Sequence, residues 1–107
     1  MRITTRDAAT GPVLEIFGAL DYVHAPEPRQ LIDATPLLPG RRLLLDLAGL
    51  DFCDSSGISA LIAARHHAQA AGADVALAAV PANTLRVLRI VGLDRVFTLY
   101  RDSDSTV

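Results

Sequence analysis

Residues 42–57 read RLLLDLAGLDFCDSSG, and the order of events in that stretch decides the fold. Arg42 to Leu47 is a short, nearly uninterrupted apolar run, the pattern of a strand buried on both faces. The chain then passes through Leu50-Asp51-Phe52-Cys53 into Asp54-Ser55-Ser56-Gly57, and a helix is predicted from about Ser55 to Ala71, closed by Gly72. Alanines at 60, 63, 64 and 68 raise its helix propensity, and Ile58, Leu61 and Ile62 are expected to share its apolar face. A buried strand feeding a helix through a polar turn is the repeating unit of a parallel α/β sheet.

The same grammar extends in both directions. Upstream, Val13–Phe17 reads as a strand, and residues 1–7 are expected to pair with it through a turn lengthened by Gly11-Pro12. A helix begins near Pro26, where prolines suit the first turn, and stops before Pro36. Downstream, Asp74–Val80 is a second buried strand. Pro81 opens a helix carrying Leu85, Leu88 and Val91 that ends at Gly92, and residues 96–100 form a last strand. The expected order is β-β-α-β-α-β-α-β: a mixed sheet with helices packed on it in one domain, residues 1–100, and a polar tail over 101–107.

Composition narrows the function. Half of the 107 residues are hydrophobic and only 5% are aromatic, so an aliphatic core is expected. The net charge of −2 gives no basic face for direct DNA binding. All ten basic residues are arginine, which excludes Schiff-base and Walker-lysine chemistry. The single cysteine, Cys53, makes no internal disulfide and reads as a small core residue. No segment has the roughly 18 apolar residues of a membrane span, and no signal peptide is visible, so a cytoplasmic protein is expected. His66 and His67 are adjacent, not the i, i+4 pair that a metal on a helix requires.

Function in such sheets collects at the carboxyl ends of the strands, which places the turn at 51–57 under scrutiny. Three readings compete there. Asp54 or Ser55 can cap the helix, which needs no further function. Ser55 can be a hydrolase nucleophile, but Cys53 stands where G-x-S-x-G requires its first glycine. His66 and His67 lie roughly 16 Å along the helix, and His24 is the remaining loose candidate for a base. Finally, Ser55 can accept a phosphate, because the first turn of a helix tolerates an anion. A phosphate there changes the outer surface near Asp21, Asp51 and Asp54 and leaves the fold intact.

The run from Leu43 through Phe52-Cys53-Asp54-Ser55-Ser56-Gly57-Ile58 resembles the core signature of STAS domains, in particular the small bacterial anti-sigma factor antagonists. Gly18-Ala19-Leu20-Asp21 is similar to the family's second motif, and Pro81–Leu88 with Val91-Gly92-Leu93 to its third. The resemblance implies a partner switch without enzymatic activity or cofactor. The unmodified antagonist binds an anti-sigma factor that is a serine kinase and frees a sigma factor. Phosphorylation of Ser55 ends the interaction, and a phosphatase restores it. The implied partner-binding set is Asp21, His24, Asp54, Ser56, Gly57 and Ile58, with Asp21 meeting an arginine of the kinase and Gly57 permitting close backbone approach. The alternative is a STAS module of a transport or stress-signalling assembly that is never phosphorylated.

The chain departs from the family pattern in three places. His24 stands where the family has Thr or Ser, and Ala19 replaces an acid. No C-terminal helix follows the last strand, which leaves an apolar patch expected to favour self-association, a homodimer being the simplest form.

Overall fold

The computed structural model describes residues 1–102. Six strands, β1 (Arg2–Ala8), β2 (Gly11–Leu20), β3 (Arg42–Asp46), β4 (Leu50–Cys53), β5 (Asp74–Ala78) and β6 (Thr98–Tyr100), join three helices, α1 (Pro26–Ala34), α2 (Ser55–Ala70) and α3 (Ala82–Ile90). The sheet order is β1-β2-β3-β5-β6, with β4 attached to β2. Only the β1–β2 pair is antiparallel. This is the mixed α/β sheet expected, with one strand more than the sequence suggested.

The extra strand is β4. Its four residues carry no alternating pattern, since Asp51 and Phe52 are both exposed. Its existence depends on β2, which outruns β3. Residues 13–15 of β2 pair with β3, the register shifts between Gly18 and Ala19, and residues 18–20 pair with β4. A bulge of this kind bends a strand toward a new neighbour.

β3 is buried on both faces, as its composition requires. Leu43 and Leu45 join the main core with Ile32 of α1, Leu61 of α2 and Leu88 of α3. Leu44 packs on the opposite face with Val13, Ala76 and Ala78. All three helices therefore share one core on one side of the sheet.

Several local expectations need correction. The β1–β2 turn is tight, because Ala8 pairs with Gly11 and only Ala9 and Thr10 lie between them. The buried face of α2 is Gly57, Ala60, Leu61, Ala64 and Ala68. Small residues let the helix lie close to the sheet, and the bulkier Ile58 and Ile62 are displaced to its flank, half-buried. On α3 the buried residues are Thr84 and Leu88, and Val91 is 56% exposed. A single 3₁₀ turn, Leu93–Arg95, delays the last strand to Thr98.

Ala71 caps the end of α2, after which the Gly72 N–H bonds the Gln69 carbonyl and the Ala73 N–H bonds that of Ala68. That pair of bonds is a Schellman motif, and it needs the left-handed φ of +73° that Gly72 supplies. No helix follows β6 among the described residues, and the polar tail from Ser103 onward lies outside them.

Candidate functional site

The site is assembled at the carboxyl ends of β2 and β4. Leu20 and Cys53 are register partners on those neighbouring strands, so Asp21 and Asp54 leave the sheet side by side. The Asp54 N–H also reaches the Leu20 carbonyl at 3.4 Å, tying the two loops together.

Asp54 is the cap of α2. Its backbone is extended, and its Oδ1 accepts from the N–H of Ser56 at 2.8 Å and of Gly57 at 3.1 Å. One carboxylate thus satisfies two of the free donors at the helix start. Ser55 is thereby released from capping. It is the first helical residue, it is exposed, and its hydroxyl has no hydrogen bond among the described residues. Its carbonyl accepts the Ser59 hydroxyl at 3.0 Å. Ser56 is half-buried behind it, and its N–H serves the cap.

Gly57 is buried. A Cβ there would stand 2.4 Å from the Leu20 carbonyl oxygen and 2.6 Å from the Cys53 sulfur. The close approach that Gly57 permits is therefore within the protein itself, between α2 and the strand ends. Cys53 is half-buried, and its thiol is pushed up to about 11, first by burial and then by the charge of Asp54. That value keeps it a neutral thiol.

The second loop is organised by Asp21 and His24. Asp21 Oδ1 accepts from the His24 N–H at 3.0 Å and meets His24 Nδ1 at 2.7 Å. These hydrogen bonds hold the Asp21 carboxyl below its ordinary value. The Asp21 carbonyl accepts from the N–H groups of His24 and Ala25, which closes the turn. The two residues between, Tyr22 and Val23, are 80% and 74% exposed. Phe52 on β4 is also exposed.

The structure therefore brings Asp21, His24, Asp54, Ser55, Ser56, Gly57 and Ile58 to one end of the sheet. The apolar residues Tyr22, Val23 and Phe52 were missed by sequence reasoning, because nothing in local pattern says which apolar side chains a turn will expel. His66 and His67 lie far along α2, where His67 Nδ1 faces Asp33 of α1 at 3.7 Å. Asp46, the buried acid of β3, is satisfied through the Ala48 N–H at 3.0 Å. No group of three or more His, Cys, Asp or Glu suited to a metal occurs among the described residues. No helix among them is long and apolar enough to cross a membrane.

An open α/β sheet with a capped, serine-bearing helix start defines a class, and the family model for the STAS domain matches residues 2–106. The chain belongs to the STAS domain family. Among solved structures it is similar to an anti-sigma factor antagonist from Mycobacterium paratuberculosis, at 27% identity and TM-score 0.80, covering 97% of this chain and 88% of that one. The Bacillus cell fate determinant SpoIIAA in its phosphorylated form shares the fold at 16% identity and TM-score 0.74, with 98% and 96% covered. A sulfate transporter family protein from Wolinella succinogenes shares it at 18% identity and TM-score 0.72, with 86% and 77% covered. Comparison with curated proteins gives no match.

Proposed function

We propose that this STAS domain is a cytoplasmic anti-sigma factor antagonist, a binding module and not an enzyme, switched off by phosphorylation of Ser55. The observation that carries the reading is the division of labour at the start of α2. Asp54 alone caps the helix, which leaves the Ser55 hydroxyl exposed and uncommitted. The likeness to the Mycobacterium antagonist supports the partner class. A phosphate at this position adds about −1.5 to −2 charges beside Asp21 and Asp54 while the helix dipole tolerates it. The interaction changes and the fold persists. The partners are a serine-kinase anti-sigma factor and a phosphatase that removes the phosphate.

Incubation with the cognate kinase and ATP is expected to add one phosphate, lost in Ser55→Ala. Ser55→Asp is expected to weaken kinase binding with little change in Tm. Phosphate on Ser56 instead, or an unfolded Ser55→Asp, refutes the assignment. The fold shared with the Wolinella transporter family protein supports a second reading, a STAS module of a transport assembly. Co-purification of a transporter subunit in place of a kinase selects that reading.

A further inference from the structure

A parallel sheet is ordinarily covered on both faces, yet among the described residues no helix packs on the side of this sheet away from α1, α2 and α3. Alternation along the strands places Val13 of β2, Leu44 of β3, and Ala76 and Ala78 of β5 on that side. Water does not reach them: Val13 and Leu44 are 1% exposed, and both alanines 0%. Their cover comes from longer side chains on the same face, so the apolar patch expected of an uncovered sheet is roofed over here.

The main piece of the roof is Arg42, two residues before Leu44 on β3. Its guanidinium donates to the Tyr100 hydroxyl through Nη1 and to Asp74 Oδ2 through Nη2, the latter at 3.4 Å. The guanidinium carbon stands 5.4 Å from the centre of the Tyr100 ring. Because β5 separates β3 from β6, this arm crosses a whole strand. Arg42 is in register with Asp74, and Tyr100 with Ala78, which sets Ala76 at the midpoint of the crossing. An alanine is short enough to pass beneath. Toward β1, Arg6 is the register partner of Val13, and its Nε stands 3.9 Å from Glu15 Oε1. Arg2 lies over the Phe17 ring at 4.4 Å. An arginine in such a place lays its apolar stem along the sheet and keeps its head in water.

A second copy of the chain gains little by docking here. The apolar centre is already buried, so contact removes almost no further apolar surface from water. It strips water instead from the guanidiniums of Arg2, Arg6 and Arg42 and from the carboxylates of Glu15 and Asp74. We infer that this face is closed to self-association, and that Arg42, held down by Tyr100 and Asp74, is the strap that closes it. With the strap removed, Leu44 and Ala76 meet solvent inside a rim of charges of both signs. A two-fold axis can set those charges against each other, which makes a second copy the matching occupant. Lysine is a poor substitute, since one ammonium lacks the planar fork that reaches both anchors at once. Closure of this face is independent of what binds at the start of α2.

The test is sedimentation velocity of the full chain across a wide concentration range, beside the fluorescence of an apolar dye that reports uncovered hydrophobic surface. Arg42→Ser is expected to raise the dye signal severalfold over the parent and to add a dimer whose share grows with concentration. Tyr100→Ser, which removes the far anchor, is expected to do the same, and Arg42→Lys to fall between Arg42→Ser and the parent. Arg29→Ser, at an exposed arginine of α1, is the control and is expected to change neither reading. Variants are compared only where far-UV circular dichroism matches the parent. Should the serine variants fail to fold, Tyr100→Phe, which deletes only the hydroxyl, is expected to give a smaller rise in the dye signal. Folded Arg42→Ser and Tyr100→Ser chains with the parent's dye signal and mass overturn the inference. So does a mixed-labelled parent sample in which isotope-filtered NMR finds contacts between copies at the Val13 or Leu44 methyls.

Discussion

Asp21 takes both of its side-chain hydrogen bonds from His24, through the backbone N–H and through Nδ1. The sequence singled out both residues, as a family acid and as a departure three positions later, but not their pairing. Pairing depends on the turn that folds residue 24 back over residue 21, and the turn is set by backbone bonds to the Asp21 carbonyl. A carboxyl whose folded value is depressed stabilises the protein above its unfolded value, near 3.8, and that stabilisation is lost as pH falls through the folded value. His24→Ala removes the main cause of the depression. Urea denaturation of parent and variant is therefore expected to show a stability gap at neutral pH that narrows as acid protonates Asp21. A gap that stays constant to the lowest pH would mean His24 acts through packing alone.

At the scale of the element, α2 is the best-written part of the chain. Its start, its alanine-rich body and its glycine stop were all legible, because caps and propensity are local. Its buried face was not. Helical spacing allows several stripes, and the tight approach of α2 to the sheet selects Ala60, Ala64 and Ala68 over Ile58 and Ile62. β4 was illegible for the opposite reason: it is a strand only because β2 extends beyond β3 and supplies the partner. The cap carries its own prediction. Asp54→Ala strands the N–H groups of Ser56 and Gly57, and a loss of about 1–2 kcal/mol is expected in chemical denaturation. Asp54→Asn or Asp54→Ser, which keep an acceptor, are expected to recover most of it.

For the molecule as a whole, the alternation of apolar runs with helical stretches was enough to foresee a largely parallel sheet, because crossover connections leave few other solutions. The location of the candidate site followed from the same rule, at the carboxyl ends of the strands. What the alternation hid was that the three helices share one core on one face. Leu45 lies at its centre, fully buried with Leu14, Leu61 and Leu77. Leu45→Ala is expected to cost about 2–5 kcal/mol, a large share of the roughly 5–15 kcal/mol that a domain of this size has to lose. Leu38→Ala, on an exposed side chain, is the matched control in the same denaturation series.

The exchange of partners along β2 has a mechanical consequence. Ser55 stands one residue beyond a four-residue strand, β4, whose ladder rests on only the last three residues of β2, across the register shift between Gly18 and Ala19. That shelf is pinned to the sheet by Gly57, whose lack of a side chain lets α2 bear on Leu20 and Cys53. Under the proposed switch, a dianion on this shelf would act on a visitor outside while the five-strand frame stays as it was.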